Sequence, residues 1–101
     1  MFIFPFVCLC VHGASMEPLF RAGQYVLVNR RAYLQKKPRT GDVVVVRDPR
    51  QASRLLLKRI SSVADEESYF VFGDNAISST DSRVFGSVSK DSIVGKVIAR
   101  I

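Results

Sequence analysis

Apolar residues along this chain run in short blocks, and turn-forming residues separate the blocks. In "QYVLVNR", Tyr25 and Leu27 fall on one side of an extended backbone and Val26 and Val28 on the other. "GDVVVVRDP" is a β-branched run closed at each end by a turn pair, Gly41-Asp42 and Asp48-Pro49. "RLLLKRISSV" follows a loop read as "RQAS", "SYFVFGDN" ends in a Gly-Asp-Asn turn, and "SIVGKVIARI" closes the chain. No segment has the 3.6-residue period of an amphipathic helix, and "RRAYLQKK" supports one helical turn at most. Five or six short strands without internal repeats predict an all-β fold: a single small domain of mostly antiparallel strands, arranged as a folded sheet or barrel.

The first block is different. "MFIFPFVCLCV", residues 1 to 11, is apolar apart from Pro5. A membrane-spanning helix requires about 20 such residues, and the run lacks the basic start and A-x-A site of a secretory signal. It reads as a buried first strand, an interfacial anchor, or the remnant of a longer membrane segment. Its Phe, Val and Ile content, with Pro5 against a helix, favours extended chain. Cys8 and Cys10 point the same way on a strand and are expected to pack as apolar groups. Two cysteines without clustered histidines do not make a zinc site.

At 101 residues and 48% hydrophobic, the chain suits one domain with a buried core. Fifteen Lys and Arg against nine Asp and Glu give a net charge of +6. The cations cluster in "NRRAYLQKKPR", residues 29 to 39, without the aromatic interleaving of single-strand nucleic-acid binders. The segment reads as a solvated basic loop or as a contact for anionic lipid headgroups, and no nucleic-acid partner is expected.

Candidate chemistry begins at "HGASMEP". A serine in such an elbow is a turn residue unless another group can take its proton. His12 is the single histidine and lies only three positions from Ser15, so it is read as a bystander. Lys58 in "LLLKRI" is the stronger partner. Strand parity sets it on one face with Leu56 and Ile60, and Leu57 and Arg59 on the other. If the Lys58 face is the core, desolvation lowers the amine's pKa and makes it a competent base. If the Leu57 face is the core, Lys58 is an ordinary surface lysine. A third segment, "GDNAISSTDSRVFGSV" (residues 73 to 88), is long and polar within a β-rich chain. Asp81 and Arg83 lie on one side of it if it is extended, and can pair there.

Together these segments resemble the type I signal peptidases and their Ser-Lys relatives. That family carries a Gly-x-Ser-Met-x-Pro box, a Lys-Arg-Ile/Val box and a Gly-Asp-Asn … Ser-x-Asp-Ser-Arg-x-x-Gly box, in that order. Here they stand as "GASMEP" (13–18), "KRI" (58–60) and "GDNAISSTDSRVFG" (73–86). The resemblance runs from about residue 11 to the end, making residues 12–101 a signal-peptidase-like catalytic domain. It implies Ser15 as nucleophile, Lys58 as general base and Ser79 as the serine that hydrogen-bonds the amine. It implies Asp81 and Arg83 as braces, and Met16 and Pro18 as substrate contacts. The oxyanion hole would draw on the Ser15 N–H. Gly13 stands where many bacterial members carry a serine that donates a second hydrogen bond. The interval from Lys58 to Gly73 is too short for the accessory insertion of bacterial housekeeping members. The nearest match is therefore the short branch that includes mitochondrial inner membrane peptidases and nickel superoxide dismutase maturation proteases.

The resemblance implies a serine endopeptidase that removes N-terminal signal peptides or propeptides through an acyl-enzyme. It would act on an extended peptide of another protein, with small apolar side chains before the cut. No cofactor or metal is implied. Membrane association is expected, or a soluble cytoplasmic location for a propeptide-maturation protease. Two alternatives are a non-catalytic β-module and a self-cleaving regulatory peptidase domain of the same fold. The latter would need a cleavage segment and a DNA-binding domain ahead of the serine, which residues 1–14 are not expected to hold. Oligomeric state is not legible.

Overall fold

The computed structural model describes residues 5–101. Seven strands form one sheet: β1 (Phe6–Cys10), β2 (Tyr25–Asn29), β3 (Val43–Asp48), β4 (Gln51–Asp65), β5 (Ser68–Phe72), β6 (Val88–Ser89) and β7 (Ile93–Arg100). Their order is β1-β2-β7-β3-β4-β5-β6, and every pairing is antiparallel. The all-β expectation holds. The one α-helical turn, α1 (Ser82–Phe85), lies in the polar segment before β6.

The run of four valines in β3 is explained by where it sits. Val44 and Val46 enter one hydrophobic cluster with Tyr33, Ile60, Tyr69, Val71 and Val88. Val45 enters a second cluster with Val11, Met16, Phe20, Val26 and Val28. A strand covered on both faces selects apolar residues without alternation.

β4 pairs with β3 so that Val44 faces Lys58, Val45 faces Leu57 and Val46 faces Leu56. Lys58 therefore shares the face of the first cluster, while Leu57 packs against the second. Both sequence-level readings of this strand are half right: Leu57 does face inward, and Lys58 is buried as well.

Three expectations need correction. "RQAS" is not a loop: Gln51 to Ser53 are already strand, because a tight turn at Pro49-Arg50 closes the hairpin. Asp48 drives that turn by accepting the Arg50 N–H at 2.9 Å. The cysteines do not both pack. β1 buries Val7 and Leu9 against the second cluster, leaving Phe6 50% exposed and Cys8 exposed on an uncovered face. Cys10 is half-buried, and both thiols are free. The strand reading of the apolar run thus holds for Phe6–Cys10, and residues 1–4 of that run lie outside the described residues. Finally, Asp81 and Arg83 are not brought together by extended chain, since Asp81 caps α1 and accepts the Arg83 N–H at 3.1 Å.

Candidate active site

Ser15 sits in a tight elbow between β1 and β2, where the Glu17 N–H donates to the Ala14 carbonyl at 3.1 Å. Gly13 enters the elbow at φ +75°, a conformation that L side chains resist. The elbow is clamped from a distance by the Gly-Asp-Asn turn that follows β5. The Asn75 N–H donates to the Ser15 carbonyl at 2.8 Å, and Asn75 Nδ2 donates to the Ala14 carbonyl at 3.1 Å. The Asp74 N–H points to Met16 Sδ at 3.5 Å.

Ser15, Gly13 and Lys58 line one cleft of about 510 Å³, together with His12, Ala14, Arg50, Arg54, Ser78 and others. Lys58 is 2% exposed. Its Nζ donates to Ser79 Oγ at 2.8 Å, and Ser79 Oγ donates to Asp81 Oδ2 at 2.7 Å. The direction of this chain is forced. Asp81 as a carboxylate can only accept, so it takes the one Ser79 proton, and Ser79 must accept from Lys58. One N–H of the amine is thereby fixed, and in the neutral amine the lone pair is left for another partner. No hydrogen bond joins Ser15 Oγ to the amine among the described residues.

Burial pushes the Lys58 amine below the ordinary lysine value; the Asp81 charge opposes this and the Arg83 charge adds to it. Asp81 is fully buried, which works against its carboxylate. Donors outweigh that cost: Arg83 Nε at 2.9 Å, Arg83 Nη2, the Gly73 N–H at 2.8 Å, Ser79 and the Arg83 N–H. Its pKa lies well below the usual carboxylate range. Arg83 thus offsets Asp81, the stronger of the two carboxylates, Asp81 and Asp48, that favour the protonated amine. Its guanidinium also lies 4.6 Å from the centroid of the Phe72 ring, which fixes the pair on β5.

The family model described as "Signal peptidase, peptidase S26" matches residues 1–67 and 61–101. The chain belongs to this family. It is 33% identical over 113 residues to the mitochondrial ATP-independent inner membrane protease subunit 1a of Arabidopsis thaliana, covering 90% of this chain and 67% of that one. It is 33% identical to the mitochondrial inner membrane protease subunit 2 of Schizosaccharomyces pombe, covering 88% and 61%. With the signal peptidase I of Aquifex aeolicus it shares 32% identity over 65 residues, covering 63% and 25%. The chain spans 61–67% of the length of these two mitochondrial relatives.

Within this S26 domain, six of the eight residues singled out from the sequence come together: Gly13, Ser15 and Lys58 on the cleft, with Ser79, Asp81 and Arg83 behind the lysine. The other two do not line it. Met16 is 1% exposed and packs in the second cluster, and Pro18 is exposed elsewhere on the elbow.

The sequence reading gave Gly73, Asp74, Asn75 and Arg59 no role in the site. A Cβ on Gly73 would lie 2.2 Å from Ser79 Oγ and 2.7 Å from the Ser15 carbonyl oxygen. Arg59 holds the turn in place through two 2.8 Å bonds to Asp74. The Gly-Asp-Asn tripeptide is visible in the sequence as a turn. Nothing local shows that it contacts an elbow some sixty residues earlier.

Proposed function

We propose that this protein is a serine endopeptidase that removes N-terminal signal peptides or propeptides through a Ser15–Lys58 dyad. The observation that carries the reading is a buried lysine amine, oriented by Ser79, in the same cleft as an elbow serine. Ser15 Oγ attacks the scissile carbonyl carbon while Lys58 Nζ takes the hydroxyl proton and becomes an ammonium. The Ser15 N–H stabilises the resulting oxyanion. Collapse breaks the C–N bond, the ammonium returns the proton to the leaving nitrogen, and an ester to Ser15 remains. Water then attacks the ester as Lys58 again accepts a proton, and the released Ser15 hydroxyl recovers it.

A smaller cavity of about 90 Å³ adjoins the cleft and shares His12, Leu55 and Leu56 with it; Leu9, Cys10, Val11, Val26, Val45 and Leu57 complete a mostly apolar lining. It suits a small apolar substrate side chain, in keeping with the resemblance. The names of the mitochondrial relatives support work at a membrane. No helix among the described residues is long and apolar enough to cross one. The membrane-facing candidate is the basic segment, where Leu34 is exposed among Arg31, Lys36 and Lys37.

Ser15→Ala is expected to abolish cleavage of a leader-bearing peptide and to leave the circular dichroism spectrum unchanged. Cleavage near the wild-type rate by purified Ser15→Ala would overturn the assignment.

A further inference from the structure

Besides the elbow, the cleft is lined by the hairpin between β3 and β4, which contributes Arg50 and Arg54. No carboxylate lines the cleft among the described residues.

Arg50 is held rigidly. Asp48, 1% exposed, accepts its backbone N–H at 2.9 Å, its Nε at 3.1 Å and its Nη2 at 2.9 Å. The guanidinium also lies 5.8 Å from the centroid of the Phe85 ring. A guanidinium has five N–H donors, and Asp48 uses one on Nε and one on Nη2. The Nη1 pair and one Nη2 hydrogen remain, on a side chain that is 47% exposed. A fork fixed in this way loses little side-chain entropy when it binds a planar anion.

Arg50 neutralises the buried Asp48 by direct hydrogen bonds, and Arg54 adds only a longer-range charge effect on that carboxylate. Arg54 is exposed and forms no ion pair among the described residues. Two guanidiniums against one carboxylate leave the cleft that Ser15 also lines with an excess positive charge.

We propose that Arg50 and Arg54 form an anion subsite that takes the side-chain carboxylate of an aspartate or glutamate near the scissile bond of the substrate peptide. This proposal rests on the Ser15–Lys58 reading for its place beside the cut. The same pair repels lysine and arginine at that substrate position.

The test uses the full chain and fluorogenic peptides with alanine at the first and third positions before the cut. Aspartate, asparagine or lysine is placed in turn at each of three positions on either side. Binding of the same peptides to Ser15→Ala is measured by fluorescence anisotropy. At one or more positions the aspartate peptide is expected to be cleaved, and bound, about tenfold better than the asparagine peptide. The advantage should shrink as salt rises and Debye screening strengthens. Arg54→Glu should remove it and favour lysine.

Equal cleavage and equal binding of aspartate and asparagine peptides at every position would overturn the proposal. So would an advantage that survives both high salt and Arg54→Glu. If no peptide is cleaved by the intact chain, yet Ser15→Ala binds the aspartate peptide tenfold tighter, the anion subsite stands and the peptidase reading fails. The wild-type salt dependence decides the matter even if Arg54→Glu does not fold.

Discussion

At the scale of single residues, the proposed function turns on one proton. An exposed lysine has a pKa of about 10.4 and would be almost wholly protonated at neutral pH. Lys58 is displaced downward by burial, so its neutral form becomes available at lower pH. The cleavage rate should therefore rise with pH through one ionisation below the ordinary lysine value, and level off above it. Lys58→Arg should cost about 10²–10⁴ in rate, because a guanidinium keeps its proton. A pH profile unchanged by this substitution would exclude the lysine as base. Gly73 makes a separate test. A methyl there collides with Ser79 on one side and with the backbone of Ser15 on the other, so at least one must move. Misplacement by about 1 Å can cost about 10²-fold, and Gly73→Ala should lose at least that in kcat while remaining folded. Strand parity grouped Lys58 with Leu56 and Ile60 in the sequence but left open whether that face is buried. The need for glycine at 73 was not legible there, since it comes from contacts made only when the two segments meet.

At the scale of elements, the polar segment from residue 73 to 86 is ordered by Asp81 rather than by apolar packing. Its carboxylate satisfies the Gly73 N–H, Ser79 and Arg83 together. Arg83 is 40% exposed, so water can take over its charge if Asp81 is lost. The larger cost of Asp81→Ala is the buried Gly73 N–H left without an acceptor, about 1–3 kcal/mol. Thermal melting should show a lowered Tm, and peptide assays a large loss of activity. Because the folded Asp81 pKa is depressed, its stabilisation is complete above the unfolded value of about 3.9 and is lost as pH falls further. Acid titration of Asp81→Asn should lack that component. β3, β4 and β7 were readable from β-branched runs and turn pairs. The α1 turn was not, because four residues give no helical period. The sequence marked a turn at Asp48-Pro49 but not its tightness, which comes from the Asp48 side chain accepting the Arg50 N–H.

At the scale of the whole molecule, the sheet carries two hydrophobic clusters and leaves the outer side of β1 uncovered. Tyr33 anchors the basic segment by packing in the first cluster and donating to Asp42 at 2.7 Å, so the cations ride on a fixed platform. With a net charge of +6, the protein should float with anionic vesicles at low salt and separate from them as salt rises. Flotation with neutral vesicles equal to that with anionic ones would remove electrostatics from the interaction. Composition showed the charge, but the anchoring needed a tyrosine and an aspartate nine positions apart. The clamp between the Gly-Asp-Asn turn and the elbow also bears on synthesis. The ribosome makes the serine before the turn and the acid that orient the lysine amine. A nascent chain paused between the serine and residue 73 carries a hydroxyl with nothing to orient its proposed base, so the proposed dyad can assemble only after the Gly-Asp-Asn turn and Asp81 have been synthesised.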